Sequence, residues 1–233
     1  MSREFLRGIK NGVPIALGYL SVSFGVGILA MRSGVPVWAV VLISLTNLTS
    51  AGEVAGIGII AASGSYVEMA LTQLLINLRY SLMGITLSQN LSEKFTLPHR
   101  MLAAYGITDE IFGVAAVEKK PLQPAYMYGM TVIATLGWVA GTYIGAVAGE
   151  VLPEALSKAL GIMLYGMFIA IIVPPAKESL SNLVAILIAA AISCILTFFV
   201  PAVSSGFAII ISAVVASALM ALFTASSGKE VQA

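Results

Sequence analysis

The chain has 233 residues, of which 59% are hydrophobic and only 10% are charged, with a net charge of +1 and a mean hydropathy of +0.99. Soluble proteins carry roughly 25% charged residues, so this composition indicates an integral membrane protein with no separate soluble domain. The small net charge and the scattered basic residues exclude a nucleic-acid-binding protein. A single cysteine, Cys194, and a single histidine, His99, exclude a disulfide framework and a Cys/His metal cluster, so we expect no metal and no cofactor.

The N-terminal segment is predicted to be the first membrane span, from about Val13 to Ala30. Three basic residues precede it, as they precede a signal peptide, but the apolar segment is longer than a signal peptide requires and leads into more membrane sequence. Because about 20 residues cross a bilayer, the whole chain has room for about six to eight inserted segments. We therefore expect one polytopic membrane transport domain, residues 1–233.

The second segment, from Val37 to Ala62, is long enough to span but is interrupted at its middle. Polar residues and glycines occupy the interruption: Thr46, Asn47, Thr49, Ser50, Gly52, Glu53, Gly56 and Gly58. This pattern predicts either a discontinuous helix or a re-entrant hairpin, which membranes tolerate only where the backbone is buried in protein or lines a cavity. Freed amides at the start of a half-helix suit a substrate carboxylate, and freed carbonyls suit an ammonium group. The substrate-binding candidates here are Thr49, Ser50, Gly52 and Glu53.

The third segment, from Tyr66 to Leu91, has Asn77, Arg79 and Tyr80 near its midpoint. An arginine at this depth costs roughly 2.5 to 3.5 kcal/mol on insertion scales, so it must face the protein interior and find an acceptor. The comparably placed carboxylates are those of Glu53, Asp109 and Glu110. An ion pair with Arg79 would either lock two helices together or act as a gate or coupling site, where a carboxylate exchanges partners between Arg79, a proton and a substrate ammonium group.

The fourth segment, from Met101 to Val117, is short and is broken by Thr108, Asp109 and Glu110, so it is predicted to be a second interrupted helix. Four plainer segments follow, and we interpret them as scaffold spans: Tyr126 to Ala148, Leu156 to Val173, Leu183 to Val200 and Phe207 to Thr224.

The distribution of basic residues favours re-entrant hairpins for the two interrupted segments. With hairpins, only Arg32 and Lys158 lie outside, whereas two full crossings would also place Lys94 and Arg100 outside, contrary to the positive-inside rule. Both models place the two termini in the cytoplasm. The predicted fold is therefore an all-α membrane protein with about six full transmembrane helices and two broken or re-entrant helical hairpins, which enter from opposite faces as inverted structural elements would.

Four glycines recur at every fourth position of the fifth predicted helix: Gly137, Gly141, Gly145 and Gly149. Overlapping GxxxG units form a smooth helical face that packs closely on another helix. That helix belongs either to this chain, to a second copy in a homo-oligomer, or to a different subunit.

Three motifs in order make the chain resemble the AzlC family, the large subunit of branched-chain amino acid exporters in bacteria. They are Val13-Pro14-Ile15-Ala16-Leu17-Gly18-Tyr19, Asn77-Leu78-Arg79-Tyr80-Ser81-Leu82-Met83 and Ile107-Thr108-Asp109-Glu110-Ile111-Phe112. The resemblance implies export of valine, leucine, isoleucine or similar amino acids, a small AzlD-type membrane partner, and a prokaryotic inner membrane.

Two positions depart from the family pattern. Glu53 lies near the region where the family usually has glutamine, and Tyr80 follows Asn-Leu-Arg where histidine is common. The tyrosine excludes a histidine-based proton relay there, and the acid favours a cationic substrate or a proton-coupled step.

Together these features predict a secondary transporter that exports small apolar amino acids through a site at the bilayer midplane. The substrate carboxylate would bind Arg79 or half-helix amides, and its ammonium group would face Glu53 or Asp109. The motifs HExxH, GxSxG and GxxxxGK[ST] are absent, so an enzyme is not expected. The alternatives are a passive channel for a small solute and a structural or regulatory subunit without transport of its own.

Overall fold

The computed structural model describes residues 2–151, 166, 169, 172–174, 176–200 and 202–226. In chain order its continuous helices are α1 (Arg3–Arg32), α2 (Val37–Thr46), α3 (Ser50–Ala61), α4 (Tyr66–Ser88), α5 (Leu97–Tyr105), α6 (Asp109–Ala116), α7 (Pro124–Val151), α8 (Leu180–Phe199) and α9 (Ser205–Ser226). Within these residues the extended pairing is limited to an isolated bridge between Leu91 and Leu122. The prediction of an all-α membrane protein is confirmed.

Four of the described helices, α1, α7, α8 and α9, are long and apolar enough to cross a membrane. They correspond to four of the predicted spans, and the predicted end at Val200 lies one residue beyond the end of α8. The predicted span from Tyr66 is α4, whose 23 residues are of sufficient length but include several polar side chains. The predicted span from Leu156 to Val173 lies outside the described residues except at positions 166, 169, 172 and 173. The total number of full spans stays a prediction.

Both interrupted segments are broken helices, as the sequence indicated. The first break separates α2 from α3 at Asn47–Thr49, and the second separates α5 from α6 at Gly106–Thr108. The Thr108 hydroxyl caps α6 by accepting a hydrogen bond from the Ile111 amide at 3.3 Å. The two half-helices of each segment do not pack along their length, although the Ser44 hydroxyl of α2 donates a hydrogen bond to Glu53 of α3. Each segment is therefore better described as a discontinuous helix than as a packed hairpin.

The chain divides into two compact units. The first comprises Met1–Ile57 and Ile76–Leu164, and the second comprises Gly58–Leu75 and Tyr165–Ala233. The boundaries fall inside α3 and α4, so neither unit is a continuous stretch of sequence.

The first unit is built around α1 and α7, which pack along most of their length. The glycine face of α7 meets the α1 backbone: Gly137 lies against Ala16, Gly141 against Leu20 and Ser23, Gly145 against Phe24, and Gly149 against Ile28. The partner of the glycine face is thus a helix of this chain. Helix α1 also contributes small residues to this contact, since its Gly8, Gly12 and Gly27 face the α7 backbone.

These contacts advance in the same direction along both helices, so α1 and α7 run parallel. Parallel spans begin at the same membrane face, so the chain between them must cross an odd number of times. One crossing by α4 satisfies this condition, and so do three crossings by α4 and both discontinuous helices.

In the second unit, α8 and α9 pack together, and a buried carboxylate caps α9. Glu68, in the first turn of α4, accepts a hydrogen bond from the Gly206 amide at 3.0 Å and another from the Ser204 hydroxyl. A carboxylate at a helix N-terminus satisfies free amides and complements the helix dipole. Helix α8 has no buried residue.

Candidate functional site

Arg79 and Asp109 form an ion pair in the first unit, with Arg79 Nη1 2.9 Å from Asp109 Oδ2. Arg79 lies in the middle of α4, and Asp109 is the first residue of α6, where a carboxylate complements the helix dipole. Arg79 Nη2 also donates to the Tyr80 hydroxyl at 3.3 Å, and the guanidinium lies 5.1 Å from the centre of the Tyr80 ring. The buried Nε of Arg79 has no hydrogen-bond partner among the described residues.

Both side chains remain partly accessible, with 35% of Arg79 and 31% of Asp109 exposed. The ion pair is therefore not sealed inside the packed core. Of the three carboxylates that the sequence offered to Arg79, the structure places that of Asp109 against it.

Glu53 has a different environment, because its side chain is completely buried and its hydrogen-bond donors are neutral. Its Oε2 accepts from the Ser44 hydroxyl at 2.6 Å, and its Oε1 accepts from the Trp138 indole N–H at 2.7 Å. The Ser44 hydroxyl lies 2.9 Å from the Thr142 hydroxyl. Within the described part of the chain, no cationic group lies within 4.0 Å of the Glu53 carboxylate.

Tyr19 of α1 connects the surroundings of Glu53 with the start of α6. Its ring packs edge-on against Trp138, with centroids 5.2 Å apart and an interplanar angle of 79°. Its hydroxyl donates to Glu110 Oε2 at 2.5 Å and lies 2.5 Å from the Thr108 hydroxyl oxygen. A continuous set of contacts thus runs from Glu53 through Trp138 and Tyr19 to the residues that flank Asp109.

The remaining predicted site residues lie at or near the first break and on α4. The Thr49 hydroxyl donates to Asn47 Oδ1 at 3.3 Å, and the Thr49 carbonyl accepts from the Glu53 amide at 2.8 Å. Ser50 begins α3, and Gly52 is buried one residue before Glu53. Asn77 is partly buried on α4 two residues before Arg79, and at about 100° per residue it points to a different side of the helix.

Four residues of this network were not among the predicted site residues: Tyr19, Ser44, Trp138 and Thr142. Tyr19 ends one of the three sequence motifs, and Trp138 follows the first glycine of the α7 face. Those positions were available as signals, but neither shows which carboxylate the side chain contacts.

An apolar cavity of about 210 Å³ begins beside this site. Of its lining residues, Gly84, one turn beyond Tyr80, and Ile107, which precedes Thr108, are the nearest along the chain to the ion pair. Its other lining residues are Leu87, Ser88, Leu91, Phe95, Arg100, Ala103, Ala104, Leu122 and Met127. Among the residues that the structure describes, no group of three His, Cys, Asp or Glu side chains is arranged to hold a metal ion.

The helices and the site define a multi-pass, all-α membrane protein whose buried polar side chains gather where two helices are broken. More particularly, the chain belongs to the AzlC family: the family model described as "AzlC protein" matches residues 14–152, more than half of the chain. That match extends from α1 through both breaks to α7, so it contains the entire polar network.

Two relatives support this assignment over most of their length. The inner membrane protein YgaZ of Escherichia coli (strain K12) is 28% identical over 207 residues, covering 86% of this chain and 84% of the relative. An uncharacterized membrane protein of Archaeoglobus fulgidus is 28% identical over 178 residues, covering 76% of this chain and 78% of the relative. No solved structure matches the chain.

Proposed function

We propose that this protein is a secondary transporter, not an enzyme, which exports small apolar amino acids, above all the branched-chain ones. The observation that carries the proposal is the partly accessible ion pair between Arg79 and Asp109 at a helix break, beside an apolar cavity. An amino acid carries both charges of this pair and an aliphatic side chain. It can therefore replace the contact between the two residues with contacts of its own.

The substrate carboxylate would bind the Arg79 guanidinium, whose Nε has no partner among the described residues. A guanidinium offers five N–H donors in a planar fork that matches a carboxylate. The ammonium group would take the place of Arg79 beside Asp109, while Glu110 and Thr108 hold the start of α6 through Tyr19. This exchange would make the ion pair a gate that opens when substrate binds.

The aliphatic side chain would enter the cavity between Gly84 and Ile107. An apolar pocket discriminates by only about 1 to 3 kcal/mol per methylene, so valine, leucine and isoleucine would all be accepted. The volume of about 210 Å³ leaves room for a chain of that size.

The protein would operate in the cytoplasmic membrane of a prokaryote, with both termini in the cytoplasm and the site near the bilayer midplane. The positive-inside rule supports this orientation. Family membership supports a small AzlD-type membrane subunit as partner, and a homo-oligomer is the other assembly to test. We expect the proton to be the coupling ion.

The experiment is counterflow of radiolabelled leucine in liposomes that contain the purified chain, with and without the small subunit. Wild-type protein should exchange leucine, and Arg79→Ala should lower the exchange by about 100-fold, because the substrate is no longer held in position. Arg3→Ala, at an exposed position, is the matched control and should exchange normally. Size-exclusion chromatography establishes that each variant is folded.

Absence of exchange in every wild-type preparation would contradict the amino-acid proposal. Normal exchange by Arg79→Ala would remove the ion pair from the mechanism. Counterflow also tests the channel alternative, because a passive channel equilibrates the label without accumulating it.

A further inference from the structure

Glu53 is a completely buried carboxylate that the substrate site does not use. Its two oxygens accept hydrogen bonds from Ser44 and Trp138, and both donors are neutral. Burying a carboxylate without a cation is costly, and neutral hydrogen bonds offset only part of that cost. Such a group is expected to bind a proton during the protein's working cycle.

Among the described residues, the Glu53 carboxylate contacts no other titratable or charged group. Tyr19 on α1 bonds toward α6 through Thr108 and Glu110. Arg79 on α4 pairs with Asp109 on α6. Helices α2 and α7 contact the carboxylate through Ser44 and Trp138, which are neutral. Within the described residues, Glu53 thus stands apart from the charged pair.

The hydroxyl groups beside Glu53 can serve both of its protonation states without any movement of heavy atoms. When Glu53 is charged, Thr142 donates to Ser44, and Ser44 donates to Oε2. When Glu53 is protonated, Oε2–H donates to Ser44 Oγ, and Ser44 donates to Thr142. The 2.6 Å and 2.9 Å separations suit either direction, and either hydroxyl can be the donor in the Ser44–Thr142 bond.

Trp138 determines which oxygen carries the proton. An indole N–H only donates, so Oε1, at 2.7 Å from Trp138 Nε1, must accept in both states. The proton therefore resides on Oε2, on the side of the hydroxyl chain. We propose that Glu53 is the proton-binding residue of this transporter, carrying the coupled proton on Oε2; this inference rests on the transport function proposed above.

The same contacts connect the proton site with the substrate site. Trp138 holds Oε1, its ring packs against Tyr19, and Tyr19 bonds to the residues on either side of Asp109. A substrate that separates Asp109 from Arg79 moves the start of α6, and that movement reaches Glu53 through packed side chains. Proton release from Oε2 to water would then accompany the change in the gate.

The test compares two leucine assays on proteoliposomes made with wild-type protein and with Glu53→Gln, which keeps the shape of the side chain. The first assay is counterflow at equal pH, and the second is accumulation driven by a pH gradient. Glu53→Gln should retain counterflow within about twofold and lose gradient-driven accumulation by at least about tenfold. Glu68→Gln, which alters another buried carboxylate with neutral donors, is the matched control and should retain both activities.

Two outcomes of these transport assays overturn the proposal. Gradient-driven accumulation by Glu53→Gln at the wild-type level would show that the coupled proton binds elsewhere. Loss of both activities in a folded Glu53→Gln protein would assign Glu53 to substrate binding instead.

Two further measurements keep the inference testable on its own. If Glu53→Gln does not fold, Ser44→Ala removes the acceptor of Oε2–H and should lower accumulation but not counterflow. If wild-type protein does not exchange leucine, infrared difference spectroscopy during an alkaline titration can still measure whether Glu53 binds a proton. The band of a buried protonated carboxylic acid should appear in wild-type protein and be absent from Glu53→Gln; its presence in both contradicts the proposal.

Discussion

Each of the two helix breaks is followed by a carboxylate, but the two carboxylates differ in burial and in their partners. After the first break, Glu53 is completely buried, and its partners are a hydroxyl and an indole N–H. After the second break, Asp109 is 31% exposed and pairs with Arg79. Both acids lie in the first turn of a half-helix. The helix dipole favours a negative charge in that turn, so the contrast must come from the neighbouring helices.

The neighbouring helices thus suit the two carboxylates to different roles, proton binding and amino-acid binding. Helices α2 and α7 surround Glu53 with neutral groups, so its charge can be cancelled only by a proton or by rearrangement. Helix α4 gives Asp109 a permanent cation, so its proton affinity matters less than its exchange of partners. The comparison indicates a proton site at the first break and an amino-acid site at the second.

The largest effect should come from separating α1 from α7, because these helices bring Tyr19 and Trp138 together between the two breaks. A side chain at Gly141 would collide with the backbone of Leu20 and the hydroxyl of Ser23. Gly141→Leu should therefore lower the free energy of unfolding by more than about 3 kcal/mol and abolish both counterflow and gradient-driven accumulation. Fluorescence-detected size exclusion and thermal unfolding in detergent would measure this loss.

Gly18→Ala is the matched control, because a Cβ at Gly18 meets nothing within 4 Å. It should be neutral or stabilising by up to about 1 kcal/mol, given the greater helix propensity of alanine. If Gly141→Leu were as stable as Gly18→Ala, the close packing of α1 on α7 would be wrong.

A double variant, Arg79→Gln with Asp109→Asn, addresses the second break alone and should have the next largest effect. It removes both charges without leaving either one unpaired, so the protein should remain folded, with a stability change below about 1 kcal/mol for this partly exposed pair. Counterflow should nevertheless fall about 100-fold, because neither substrate charge has a partner. Recovery of counterflow in the double variant would make the pair a purely structural lock.

Both breaks could be predicted from the sequence because polar residues and glycines interrupt otherwise apolar runs. The glycine face of α7 was equally visible, since a spacing of four residues marks one side of a helix. Which helix it meets was left open by the sequence, although α1 has its own small residues at Gly8, Gly12 and Ala16. A spacing pattern identifies a face but not the face opposite.

The partners of the carboxylates could not be predicted in the same way. Three acids were available to Arg79, and the choice of Asp109 depends on how α4 and α6 pack. Trp138 and Thr142 are 85 and 98 residues away from their partners Glu53 and Ser44 in sequence. The count of basic residues in the loops favoured hairpins. That count carries no information on whether two half-helices pack against each other, because such packing depends on their side chains.

The smallest effect should come from removing a hydrogen bond that joins the two broken segments. The Tyr105 hydroxyl, at the end of α5, donates to the Leu45 carbonyl in the last turn of α2. That carbonyl is among those that a helix end leaves without an intrahelical partner. Tyr105→Phe should therefore lower the free energy of unfolding by only about 0.5 to 1.5 kcal/mol. Tyr143→Phe, on the exposed side of α7, is the control for loss of a tyrosine hydroxyl.

If the two breaks act in concert, Tyr105→Phe should also reduce gradient-driven accumulation more than counterflow, since coupling needs both sites whereas exchange needs only the second. Equal reduction of the two activities would mean that this bond merely stabilises the fold, and that coupling passes through Tyr19 and Trp138 alone.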